Sequence, residues 1–189
     1  MASGYGMLVF FALLGAGIKT IDEAYDRGAP SRRVAYLLAP FLVALWFVLS
    51  FQDKNAATLL SAILVSSLLA GKLDNTVFKL SAAVLLAAML IKGVSIALLP
   101  FLFLVVLGVI DELADGYADK HRKTRRGFLL RRRFGMKLGV LLLFVFSQLE
   151  LVYALALLAF DLAYDSVSIA LPQGANVPAG VKVYESHIL

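Results

Sequence analysis

Two short segments carry much of this chain's acidity in one spacing. Ile21-Asp22-Glu23-Ala24-Tyr25-Asp26 and Ile110-Asp111-Glu112-Leu113-Ala114-Asp115 are both I-D-E-x-x-D. With Asp74 and Asp119 they account for eight of the thirteen acidic residues. On a helix, residues four apart share a face, with Cβ atoms roughly 5–6 Å apart. Asp111, Asp115 and Asp119 then form one carboxylate stripe with Glu112 beside it, and Asp22 and Asp26 form a shorter one. Like charges at this spacing repel, and a helix C-terminus adds partial negative charge. Inside a membrane span each carboxylate costs about a few kcal/mol more. Something positive must compensate: protons, basic side chains or divalent cations. Hard cations suit carboxylate oxygens, and Mg²⁺ takes one or two carboxylates together with substrate phosphates.

Other groups bear on the same chemistry. Lys19 can pair with Glu23, and Lys120, His121 and Arg122 can neutralise Asp115 and Asp119. Solvated acids at helix ends are the plain alternative to a metal site. Residues 120–137 hold nine of the eighteen basic residues and no acid. That run can bind a diphosphate through Arg forks, or it can hold anionic lipid headgroups. It lacks any nucleic-acid reading module, so no nucleic-acid partner is expected. The absence of cysteine removes thiolate metal sites, disulfides and thiol nucleophiles. Two histidines are too few for a multi-histidine centre, and no Walker, G-x-S-x-G or H-E-x-x-H motif is present. Tyr25 and Tyr117 sit inside acidic motifs, whereas Trp46, Phe47, Phe101, Phe103, Phe144 and Phe146 are expected to pack or face lipid.

The elements that position these groups follow from composition. The chain has 189 residues, 61% hydrophobic and only 16% charged, with a mean hydropathy of +0.86. A soluble domain is about 45–50% apolar and about 25% charged, so an all-α polytopic transmembrane bundle at the cell membrane is predicted. About 20 apolar residues cross a bilayer, and without a barrel pattern only helices satisfy their own backbone there. The uncharged runs predict about six spans, near 7–26, 34–51, 56–71, 76–91, 94–119 and 137–165. The fourth is short and could be re-entrant. Arg27, Arg32, Arg33, Lys72, Lys79 and the 120–137 run mark cytoplasmic connections, which places the N-terminus outside. Residues 1–165 then form one transmembrane domain with a basic cytoplasmic loop, and 166–189 an irregular external tail. On this count Asp161 and Asp165 end the last span opposite the other acids. No removable signal peptide is expected.

The segment Asp111-Glu112-Leu-Ala-Asp115-Gly-Tyr-Ala-Asp119 resembles the N-D-x-x-D-x-x-x-D motif of the UbiA-type intramembrane prenyltransferases. Asp111 stands at the family's Asn and Glu112 at its first Asp. Asp22-Glu-Ala-Tyr-Asp26 is similar to that family's second motif, D-x-x-x-D. The two motifs occur here in reversed order, in a chain shorter than the family's usual nine helices. The resemblance implies an all-helical cavity where both motifs bind Mg²⁺ and a prenyl diphosphate at the cytoplasmic mouth. Glu112-Leu-Ala-Asp115-Gly116-Tyr-Ala also resembles in part the start of the CDP-alcohol phosphotransferase motif. Where that family has two further aspartates, this chain has Arg133 and Lys137.

The leading expectation is a Mg²⁺-dependent membrane transferase acting on an isoprenoid or other lipid diphosphate. Asp22, Asp26, Asp111, Asp115 and Asp119 would be its catalytic carboxylates. The same residues with Glu112 would be its metal ligands, and Arg27, Lys120 and Arg122 its diphosphate-binding cations. Tyr25 and Tyr117 would face the developing carbocation. A second expectation is a divalent-cation or proton transporter with carboxylate vestibules. It needs Gln148 and Glu150 at the midplane and Asp161 and Asp165 at the far mouth. A third is a non-catalytic membrane subunit whose basic loop docks an anionic partner.

Overall fold

Apolar runs interrupted only at a few polar points leave helix as the element that satisfies every backbone group. A computed structural model describes residues 4–28, 30–120 and 134–171, apart from the side chains of 118–120. Every regular element among the described residues is a helix. They are α1 (Gly4–Asp26), α2 (Arg32–Gln52), α3 (Lys54–Leu69), α4 (Thr76–Lys92), α5 (Leu98–Lys120), α6 (Phe134–Val145) and α7 (Leu151–Ala170). Three of them, α1, α2 and α7, are long and apolar enough to cross a bilayer, at 23, 21 and 20 residues.

The connections are built by identifiable caps. Asp53 accepts from the N–H groups of Asn55 and Ala56 to start α3, and Asn75 accepts from Phe78 N–H to start α4. Gly71, at φ 69°, ends α3 in the left-handed conformation that glycine adopts without strain. Gly71 N–H donates to the Leu68 carbonyl and Lys72 N–H to that of Ser67. At the far side of the molecule the Thr58 hydroxyl accepts from Ala97 N–H and ties down the α4–α5 connection.

The expected sixth span, 137–165, is two helices. Ser147 takes φ 56°. Its N–H donates to the Phe144 carbonyl and Gln148 N–H to that of Leu143, a Schellman ending of α6. The chain turns back and α7 begins after Glu150. The fourth element is a full helix, and residues 166–170, expected in the tail, continue α7.

Successive helices run up and down. α1 and α7 lie side by side in the same direction, Gly4 next to Val152 and Gly15 against the Phe160 backbone. A methyl group at Gly15 would overlap the Phe160 carbonyl, so this approach requires glycine. α3 packs on α2 and α5, and its first half is buried from Ala56 to Ala62. α4 packs on α2, and α6 closes against α5 and α7. The core is aliphatic and aromatic, with Phe11, Leu14, Leu59, Leu60, Leu104 and Val140 almost fully enclosed. The outside is also apolar, with Leu37, Leu90, Ile91, Leu99 and Ile169 each more than 70% exposed. A water-soluble monomer rarely exposes so many large apolar side chains.

One end of the bundle gathers the C-termini of α1, α3, α5 and α7 and the N-termini of α2, α4 and α6. Because α6 and α7 are separate, Asp161 and Asp165 come to this end too. Asp161 pairs with Lys137 at 2.8 Å. The C-terminus of α7 therefore lies at the end bearing Arg32, Lys72 and Lys79, not at the opposite one. Residues 172–189 themselves, His187 included, lie outside the described residues.

Candidate functional site

At the acidic end, α1, α2, α3, α4, α5 and α7 surround a cavity of about 470 Å³. That is the size of a small-molecule pocket. α1 contributes Lys19, Asp22 and Asp26, the α3–α4 turn Lys72 and Asp74, α5 Glu112 and Asp115, and α7 Tyr164. The deeper wall is apolar and includes Leu42, Trp46, Ile63, Phe78, Leu85 and Phe160. Five carboxylates thus face two ammonium groups over a hydrocarbon floor.

The carboxylates differ in how they are held. Asp22 accepts from Lys19 Nζ at 2.6 Å and from the Tyr164 hydroxyl at 3.3 Å. Lys19 also lies 5.1 Å from the centre of the Tyr164 ring, a cation–π distance. Asp115 meets Lys72 only loosely, at 3.8 Å. Asp26 and Asp74 are exposed at the mouth, and neither makes an ion pair among the described residues. Glu112 is 6% exposed and lines both this cavity and a small crevice behind it, with Ser66, Asp111 and Asp161.

Several expected site residues serve the scaffold. Asp111 is 7% exposed and accepts from the N–H groups of Gly135 and Met136 at 2.8 and 2.7 Å. Its carboxylate caps α6, whose first N–H groups have no partner within the helix. It does not line the main cavity. Arg27 is tied back to Glu23 at 2.9 Å, so it is not held over the cavity as a diphosphate ligand. Glu23, 1% exposed, also takes Lys19 at 2.9 Å. Tyr25 turns to α2, beneath the Arg32 guanidinium at 5.2 Å, and Tyr117 is 59% exposed. Neither tyrosine lines the cavity. The side chains of Asp119 and Lys120, and all of Arg122, lie outside the described residues.

The cavity also contains residues the sequence patterns did not select. Lys72 and Asp74 arrive from the α3–α4 turn and Tyr164 from α7. Trp46, expected as a packing residue, lines the cavity, and its indole N–H, though buried, has no hydrogen-bond acceptor among the described residues. The clue for Lys72 and Asp74 is the sequence Gly71-Lys72-Leu73-Asp74-Asn75, a helix stop at Gly71 followed four residues later by the helix cap Asn75. No sequence clue pointed to Tyr164, because the break before α7 was hidden.

Among the described residues, no three His, Asp or Glu side chains converge closely enough to cage a metal ion. An arrangement of separate carboxylates around a cavity suits a hard cation that brings most of its own ligands as water and phosphate oxygen. The features a transporter needs are placed differently. Gln148 and Glu150 are exposed in the α6–α7 turn at the opposite end, and Asp161 and Asp165 share the acidic end. The chain matches no family model, no curated protein and no solved structure.

Proposed function

We propose that this chain is a multi-pass membrane transferase that binds a lipid-soluble diphosphate, most simply a prenyl diphosphate, together with Mg²⁺. One observation carries the reading: carboxylates from two distant segments, α1 and α5, line a single cavity whose deeper walls are apolar. Carboxylates alone would repel a diphosphate. A divalent cation between them reverses that repulsion, and the apolar wall accepts the hydrocarbon tail.

Asp22, Asp26, Asp115 and Glu112 would hold the metal, with Asp74 at the mouth, and Asp111 drops out because the α6 N-terminus occupies it. When bound, Mg²⁺ supplies neutralisation of the leaving diphosphate. The chain's own residues orient the substrate. Trp46, Phe78 and Phe160 present aromatic walls to the reacting end of the tail, where a ring face favours developing positive charge. The carbon–oxygen bond to the diphosphate breaks with its electron pair on the diphosphate. An acceptor nucleophile then bonds to that carbon and loses its proton to a cavity carboxylate or water. The resemblance of the two aspartate segments to the UbiA-type motifs supports this chemistry.

In the bilayer the acidic end faces the cytoplasm, because Arg32, Arg33, Lys72, Lys79 and Lys137 belong to that end, while Lys54 and Lys92 belong to the other. The N-terminus is then outside and the tail inside. The chain lacks cysteine, so single cysteines placed at 5, 127 and 180 can be labelled one at a time in sealed vesicles. Positions 127 and 180 should label from one face and position 5 from the other. The activity itself is tested by Mg²⁺-dependent turnover of prenyl diphosphates with Asp26→Asn and Asp115→Asn. A fall of at least tenfold in each is expected, and unchanged turnover in both rejects the site.

A further inference from the structure

The acids explain how a cation is drawn to the cavity, but the diphosphate needs a positive group of its own. The expected sources, Arg27 and the 120–137 run, are respectively tied to Glu23 and largely outside the described residues. We infer that Lys72, presented by the Gly71–Asn75 turn, directly binds the phosphate of the substrate in this cavity; the inference rests on the diphosphate reading above.

Three observations support the assignment. First, the turn is built to hold its position. It is closed on the α3 side by the Gly71 and Lys72 N–H bonds to Leu68 and Ser67 and on the α4 side by the Asn75 cap on Phe78. A segment of five residues pinned at both ends presents Lys72 and Asp74 with little freedom left to lose on binding. Second, Lys72 is the less committed of the two cavity lysines. Lys19 is locked by Asp22 and Glu23 at 2.6 and 2.9 Å, whereas Lys72 stands 3.8 Å from Asp115 with 38% of its side chain exposed. An ammonium group at that separation can turn to a phosphate oxygen without leaving a buried charge behind. Third, the cavity holds a donor that awaits an acceptor. The Trp46 N–H is buried and unpartnered on the same cavity wall, as expected of a pocket completed by a ligand oxygen. Lys72 at the mouth and the apolar wall of Leu42, Ile63, Phe78 and Leu85 deeper in set the ligand's direction, phosphate outward and tail inward, with the Trp46 N–H left to an oxygen of the acceptor substrate.

Trp46 is the only tryptophan in the chain, so its fluorescence reports occupancy of the cavity. The full chain in lipid nanodiscs is titrated with Mg²⁺ alone, then with inorganic pyrophosphate and with farnesyl diphosphate at fixed Mg²⁺. The variants are Lys72→Gln, Lys72→Arg and, as an opposite-end control, Lys92→Gln. Lys72→Gln should weaken both diphosphates about tenfold, leave the Mg²⁺ response intact and be largely rescued by Lys72→Arg. Lys92→Gln should match the parent. Tighter binding of farnesyl diphosphate than of pyrophosphate identifies a lipid ligand, and equal binding identifies the free anion; Lys72 holds the phosphate in either case. If the parent chain binds both diphosphates and Lys72→Gln keeps that affinity in full, the role of Lys72 is overturned alone. If the parent responds to Mg²⁺ but to neither diphosphate, the diphosphate reading fails and Lys72 fails with it. An intact Mg²⁺ response in Lys72→Gln certifies that the variant is folded.

Discussion

The ends of α1 and α5 carry the same six-residue pattern and use it differently. In α1 the first aspartate, Asp22, faces the cavity; in α5 its counterpart, Asp111, is buried as the cap of α6. The glutamates exchange roles as well. Glu23 is buried between Lys19 and Arg27, while Glu112 lines the cavity. Only the last aspartates, Asp26 and Asp115, do the same thing in both helices. A helix turns about 100° per residue, so a modest difference in how each helix is rotated reassigns which member of a shared motif looks inward. Matching spacing establishes that two helices can each present carboxylates. It does not establish which ones.

The comparison is broken most forcefully at Glu23. Among the described residues, its replacement by Ala removes the only carboxylate holding Arg27 and one of two holding Lys19. Removing one member of a buried charge cluster costs about 3 kcal/mol or more. Glu23→Ala should therefore lower the unfolding midpoint in detergent sharply. Glu112→Ala, the same change at the equivalent motif position, should weaken Mg²⁺ binding as well, because Glu112 lines the cavity. An unchanged Mg²⁺ affinity in Glu112→Ala would mean that the helices are not rotated as described.

Asp111 comes next. Asp111→Ala leaves the Gly135 and Met136 N–H groups without acceptors in a buried place, at a cost of about 2 kcal/mol. Asp111→Asn retains one acceptor oxygen and should recover roughly half of that. Mg²⁺ affinity per folded molecule should stay within about twofold in both variants, since Asp111 is turned away from the cavity. A loss of metal affinity without a loss of stability would return Asp111 to the role its motif position implies.

Asp26→Asn and Asp115→Asn sharpen the shared part of the pattern. Neither carboxylate is needed for packing, so each should change stability by less than about 0.5 kcal/mol. Each should weaken Mg²⁺ binding about tenfold, as judged by Trp46 fluorescence or calorimetry. The double variant should lose more than either single one if both act on one cavity, and their non-additivity measures how closely they cooperate.

What the sequence revealed and concealed follows from the same physics. Helical character was legible because uncharged apolar runs permit nothing else, and the gathering of acids was legible because Asp22, Asp26, Glu112 and Asp115 lie at predictable helix ends. The break at Ser147 was not. From Leu138 to Phe160 the only charge is Glu150, and a Schellman ending needs no polar signal when its hydrogen bonds are all backbone. That one hidden turn moved Asp161, Tyr164 and the C-terminus of α7 to the other end of the bundle. The capping contact of Asp111 was hidden for a different reason, since its partners at Gly135 and Met136 lie 24 and 25 residues away and no local pattern announces a cap across that distance.

The smallest expected effect tests the finest part of the comparison, whether Asp22 is positioned by one neighbour or by two. Lys19 approaches it at 2.6 Å, within the range of a charge-assisted hydrogen bond. The Tyr164 hydroxyl stands at 3.3 Å, longer than the 2.5–3.0 Å of a good O–H···O bond. Tyr164→Phe keeps the ring over Lys19 and removes the hydroxyl that stands near Asp22. Stability should fall by no more than about 0.5 kcal/mol, and Mg²⁺ affinity should change less than threefold, because Lys19 alone keeps the carboxylate aimed into the cavity. A tenfold change with unaltered stability would mean that the hydroxyl, and hence α7, helps to aim Asp22. α7 would then join α1 and α5 as a functional wall of the site.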